Sequence, residues 1–144
     1  MSMFTKLNKT TKLFNVEVEN PIFKKIADFQ ENECVQVLGC YTNKKSRYGD
    51  EPIFIVKDIQ GNIFFVNMPN HHLQTLNTII SDNELVKGVN NGECFIKIVT
   101  YFSKRFNKQC FDFEFVTLED FNNFKNKVQT QNTFTSQDVK EDIF

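Results

Sequence analysis

Tryptophan is absent from this 144-residue chain, and proline occurs only three times. Gly61 and Gly92 stand alone, so no glycine-rich loop is present to cradle a phosphate. The four cysteines, Cys34, Cys40, Cys94 and Cys110, never fall in a C-x-x-C spacing, which excludes a redox motif or a zinc knuckle. Each sits in an expected strand, where cysteine serves as a small hydrophobe, so reduced core thiols are expected. No apolar run approaches the roughly 18 residues of a membrane span, and no signal-peptide pattern opens the chain. A cytoplasmic location is expected, in the host cell if the protein is viral. No nucleophile–base pairing stands out among the scattered acids, so neither an enzyme nor a cofactor is expected. His71-His72 is an adjacent pair without helical ligand spacing or an obvious third ligand. A solvated helix N-terminus is the expectation there, with no metal.

A hydrophobic content of 40% and a mean hydropathy of -0.38 suit one globular domain with its own core. The net charge of -1 and the pI near 6.1 give no overall attraction to nucleic acid. Any such partner must be met by segregated charge. The 17 phenylalanines accompany abundant Asn, Lys and Ile, as coding bias produces, so a single Phe carries little weight.

The most informative stretch is 93–117. It reads as two strands, Cys94–Phe102 and Cys110–Thr117, joined by a turn around Ser103–Gln109. The turn carries Lys104, Arg105 and Lys108, with Lys97 in the preceding arm, and no acid lies between Lys97 and Gln109. Tyr101, Phe102 and Phe106 are interleaved with those cations. A surface that tracks a phosphate backbone and stacks bases needs both components.

Residues 1–13 are polar and basic and read as a flexible arm, either an electrostatic tether or an ordinary terminus. Phe14–Val18 alternates like a short strand. Pro21 opens an expected helix with Ile22, Phe23, Ile26 and Phe29 on one face. Cys34–Thr42 is a strand in which Gly39 marks a bulge or bend. The loop Asn43–Glu51 carries Lys44, Lys45, Arg47 and Tyr48. Strands Pro52–Asp58 and Ile63–Met68 follow, with Pro69 ending the second. From Asn70, an expected N-cap, helical spacing runs to Asn90, broken near Ser81–Glu84 with Ser81 or Asp82 capping the second piece. Gly92 closes it. After the hairpin, Thr117 caps a last helix bearing Leu118, Phe121, Phe124 and Val128. Residues 14–128 are thus expected to form the domain, and 129–144 a disordered acidic tail.

From Cys34 the order is β-β-β-α-β-β. Parallel α/β folds need a helix after nearly every strand and are excluded. The order is that of the five-stranded OB-fold, a mainly β barrel. There oligonucleotides lie over strands two and three, between the loops joining strands one and two and strands four and five. Those loops here, Asn43–Glu51 and Ser103–Gln109, are the two most basic in the chain.

This order, the segment LGCYTNKKSRYGDEPIFIV followed by FFVNMPNHHL, and the terminal Asp142-Ile143-Phe144 carry a resemblance. The chain resembles single-stranded DNA-binding proteins of bacteriophages of low-GC Gram-positive bacteria, over about residues 34–118 and the C-terminal tip. Such proteins end in acids followed by an apolar or aromatic terminus. Here Lys140 dilutes the acidic run. The resemblance implies sequence-independent binding and protection of single-stranded DNA in phage replication or recombination. It also implies a tail (Asp138, Glu141, Asp142, Ile143, Phe144) that docks on replication or recombination proteins, and is compatible with a homo-oligomer.

Lys44, Lys45, Arg47, Lys97, Lys104, Arg105 and Lys108 are either phosphate contacts or solvated charges. Tyr48, Tyr101 and Phe106 are either stacking rings or loop anchors. Phe54 and Phe64 are weaker stacking candidates, because Phe64 and Phe65 point to opposite faces and alternation does not say which is outward. Phe111, Phe113 and Phe115 share a face opposite Asp112 and Glu114 and are expected in the core. The competing class is a protein-interaction module that binds and redirects a host enzyme. An RNA strand would fit the same features as DNA.

Overall fold

The computed structural model describes residues 13–44 and 49–129. Six strands form one sheet: β1 (Phe23–Lys25), β2 (Cys34–Asn43), β3 (Glu51–Lys57), β4 (Ile63–Asn67), β5 (Phe95–Ser103) and β6 (Lys108–Val116). Their order across the sheet is β1-β4-β3-β2-β5-β6, curled into a half-barrel. Only β1 with β4 is parallel; the other pairs are antiparallel. Helices α1 (Leu73–Ser81) and α2 (Asn83–Asn90) lie between β4 and β5, and α3 covers residues 118–129. No described helix is long and apolar enough to cross a membrane.

The β-branched and aromatic strands build the core through register. Cys40 lies opposite Phe54, and Phe54 opposite Val66; all three are buried and face inward. Tyr41 opposes Ile53 and Phe65 opposes Ile55, so these four face the other way. Between Val37 and Gly39 the pairing slips, placing a bulge where the glycine interrupts the strand. The Phe14 ring packs there. A Cβ on Gly39 would come within 3.1 Å of it.

Leu76 and Ile79 of α1 and Val86 and Val89 of α2 close the inner face. Asp82 separates the two helices: its carboxylate accepts the amides of Glu84 and Leu85 at 2.9 and 3.3 Å. Asn70 does not cap, but opens a 3-10 turn, Asn70–His72. Thr117 and Asp120 bond each other's amides at the start of α3. From α3, Phe121 stacks on Phe95 with centroids 4.5 Å apart, whereas Leu118 stays exposed.

Three local expectations are corrected. The segment after Pro21 is not a helix but β1 followed by a 3-10 turn, Ile26–Asp28. An eight-residue helical pattern is marginal alone, and the free edge of β4 competes for it: Phe65 N–H donates to the Ile22 carbonyl at 2.8 Å. Ile22 and Phe23 are therefore exposed, and only Phe29 of the four expected apolar positions is fully buried. Phe14–Val18 forms no strand. It is tied to the end of α2, where Asn90 accepts the Asn15 amide and donates to the Leu13 carbonyl. Leu13, expected in the flexible arm, is thereby anchored.

Candidate nucleic-acid interface

The β5–β6 hairpin extends past the core. Tyr101 pairs with Cys110, Phe102 with Gln109 and Ser103 with Lys108. Asn107 takes a positive φ of 52° to complete the turn, and the Ser103 hydroxyl accepts the Phe106 amide at 3.3 Å. Tyr101, Phe102 and Phe106 are 48%, 57% and 63% exposed, more than a folding role requires. Lys104, Arg105 and Lys108 are exposed beside them. The Arg105 guanidinium lies 5.3 Å and the Lys108 ammonium 5.9 Å from the centroid of the Phe106 ring. The tip thus brings five of the expected site residues together: Tyr101, Lys104, Arg105, Phe106 and Lys108. Phe102 joins them, but successive strand residues face opposite ways, so its ring is on the other side from Tyr101.

Other expected residues are not brought there. Phe54 is fully buried, its ring tilted against Phe113 with centroids 5.1 Å apart, so it is core. Phe64 turns inward against Phe29, with the Lys24 ammonium 4.7 Å from its centroid. Lys97 pairs with Glu114 at 3.4 Å, opposite it in the sheet. This pair reduces the charge Lys97 offers a phosphate. Phe115, expected in the core, is 46% exposed because it lines an open groove beside α1 and α2. Lys44 is exposed at the end of β2. Lys45, Arg47, Tyr48 and the tail residues Asp138, Glu141, Asp142, Ile143 and Phe144 lie outside the described residues.

The two basic loops leave opposite ends of β2. Its Cys34 end pairs with β5, which runs antiparallel and carries the hairpin tip beyond that end. Its Asn43 end pairs with Glu51 at the start of β3.

A second aromatic surface was not foreseen. Phe23, Tyr41 and Phe65 cluster on the outer face of β1, β2 and β4. The Phe65 ring centroid is 5.4 Å from Phe23 and 6.1 Å from Tyr41. Phe23 is 62% exposed and Tyr41 38%. The Phe64-Phe65 doublet signalled that one ring must face outward, but which one is set by pairing with β3, where Val56 and Phe54 face the core, and alternation alone does not reveal it.

The histidine pair is also not simply solvated. Both imidazoles donate from Nε2 to Asp112 on β6, His72 to Oδ1 at 2.6 Å and His71 to Oδ2 at 3.1 Å. Partial burial alone would raise the Asp112 carboxyl. The His72 bond, the Phe113 amide and the two imidazoles outweigh that and hold it below the ordinary value. Asp112 is the partner that sequence reading, which placed it on a plain solvated face, missed.

No family model, curated protein or solved structure matches this chain.

Proposed function

We propose that this protein binds single-stranded DNA without sequence preference, in phage replication or recombination, through an OB-type half-barrel. The observation that carries the reading is the hairpin tip, where three cations lie with the exposed rings Tyr101 and Phe106, no acid falls among them, and Phe102 is exposed on the opposite side. Lysine and arginine there neutralise phosphates and release counterions, and the rings stack on bases, which all offer a π-face. The mechanism is stoichiometric. The OB reading rests on the run β4-β3-β2-β5-β6, the order expected of a five-stranded barrel whose first strand is central. β1 adds a sixth strand at the β4 edge. The outer face of β2 to β4, where that fold holds its strand, carries the Tyr41–Phe65 contact.

A second reading, a protein-interaction module, draws on one observation. A groove of about 610 Å³ between α1, α2 and the β5–β6 base is lined by Ile79, Leu85, Val89, Phe95 and Phe115. Apolar grooves of this kind suit a partner's side chains better than a phosphate backbone.

Fluorescence anisotropy of labelled oligo-dT, with oligo-U and duplex DNA in parallel at two salt concentrations, separates the readings. Tight, salt-sensitive binding to oligo-dT with little to duplex is expected. Absence of binding to every strand at low salt would overturn the proposal in favour of the interaction module.

A further inference from the structure

We infer that His71, His72 and Asp112 form a binding site for a divalent first-row transition ion, zinc above all. The three ligand atoms lie within 4.8 Å of one another. They come from two elements about forty residues apart in sequence: the 3-10 turn after β4 and the middle of β6. Zinc bonds imidazole nitrogen and carboxylate oxygen at about 2.0–2.2 Å, so adjacent tetrahedral ligands stand roughly 3.4 Å apart. The observed separations of 2.6 and 3.1 Å between imidazole and carboxylate are slightly shorter, because a shared proton now occupies each gap. Replacing the two Nε2 protons with one ion requires the groups to part by less than an ångström or so at each contact.

The site is held before any ion arrives. The His72 ring packs on Phe113 with centroids 4.1 Å apart, and Phe113 is 4% exposed. His71 lies against His72 at 4.2 Å. The Phe113 amide donates to Asp112 Oδ1 at 2.7 Å and fixes the carboxylate. Outer bonds of this kind orient ligands and raise affinity. Two nitrogens and one oxygen select zinc-like ions over magnesium or calcium, which prefer all-oxygen sets. Three protein ligands leave a position for water on the side of His71, whose side chain is 58% exposed. The ion would clamp the turn before α1 to β6, across the open side of the curled sheet, and would stabilise the fold by mass action.

The chain has only these two histidines, so their imidazole signals report the site without ambiguity. Zinc alone, titrated into the full-length chain under reducing conditions, is expected to bind one ion per chain. It should shift the 15N resonances of both rings and raise Tm. His71→Ala removes an exposed side chain with little expected effect on folding, and Asp112→Asn keeps the shape of the third ligand. Each is expected to weaken zinc at least about tenfold, the scale on which losses around a metal site are felt. Cobalt in place of zinc should give a spectrum without an intense thiolate charge-transfer band. No uptake at millimolar zinc, uptake unchanged in His71→Ala, or a strong thiolate band pointing to the cysteines would each overturn the site.

Discussion

Phe54 and Phe106 are both candidate stacking rings in the sequence, Phe54 the weaker, and they sit in opposite environments. Phe106 is 63% exposed on a turn, while Phe54 is wholly buried against Phe113. Phe106→Ala should therefore leave Tm nearly unchanged and weaken oligo-dT by about 1–3 kcal/mol, the worth of one stacked base. Phe54→Ala should cost about 3–5 kcal/mol of stability in a urea melt, while the folded fraction keeps its affinity. The reverse pattern would place the binding surface elsewhere. Cys40 and Cys94 differ from both in responding to pH. Burial, with the neighbouring Cys94, pushes the Cys40 thiol up to about 12, and burial pushes Cys94 up to about 11, from an ordinary 9.0. Their folded values are raised, so the neutral form is favoured in the fold. This contribution is fully present below pH 9 and is lost as pH rises toward 11 and 12. Each thiol should add up to about 1.4 kcal/mol per pH unit to the alkaline loss. Chemical denaturation at pH 8 and pH 10.5, compared with Cys40→Ala, measures it: the variant should show the shallower decline.

At the scale of elements, the β3–β4 connection depends on one buried acid. Asp58, 8% exposed, accepts the amides of Gln60 and Asn62 at 3.0 and 2.9 Å, while Gly61 takes a φ of +90°. Asp58→Ala leaves two amides without their acceptor and should cost about 1–3 kcal/mol, read as a lower urea midpoint with unchanged slope. This connection was legible in the sequence as the short gap between the expected strands Pro52–Asp58 and Ile63–Met68, because turn chemistry is local. The later strands, the helix break at Asp82 and the Thr117 cap were legible for the same reason. What failed is non-local. Residues 22–29 carry a helical pattern, yet β4 recruits Phe23–Lys25 from across the sheet. Tyr41 faces outward because the bulge on β2 shifts its phase relative to Val35 and Val37, and Phe65 faces outward because its neighbour Val66 pairs inward with Phe54. Asp112 reads as a solvated strand residue until the fold delivers two histidines to it. The basic hairpin was visible because its cations and rings are consecutive. The Phe23–Tyr41–Phe65 cluster was not, because three strands contribute one ring each.

For the whole molecule, the proposed DNA binding raises the question of how two aromatic surfaces at different places on one half-barrel would serve one strand. The net charge is -1, so long-range attraction cannot come from the sum of charges. Among the described residues the hairpin tip groups three cations, beyond the Cys34 end of β2 and away from the ring cluster on the outer face. On the proposed reading the two surfaces would divide the work: the tip would provide the salt-sensitive attraction, and the outer face stacking for a strand long enough to reach it. Replacing Lys104, Arg105 and Lys108 together with Ala should then lower the slope of log K against log salt by about 2, at roughly 0.7 per lost phosphate contact. Tyr41→Ala should leave that slope unchanged. It should also leave the shortest oligo-dT that binds unaffected and weaken only longer ones. A ladder of oligo-dT lengths at two salt concentrations, run on the wild type and both variants, reads slope and length together. If Tyr41→Ala weakened every length equally, both surfaces would belong to a single compact site. If it weakened none, the outer cluster would have no part in DNA binding, and the hairpin alone would account for it.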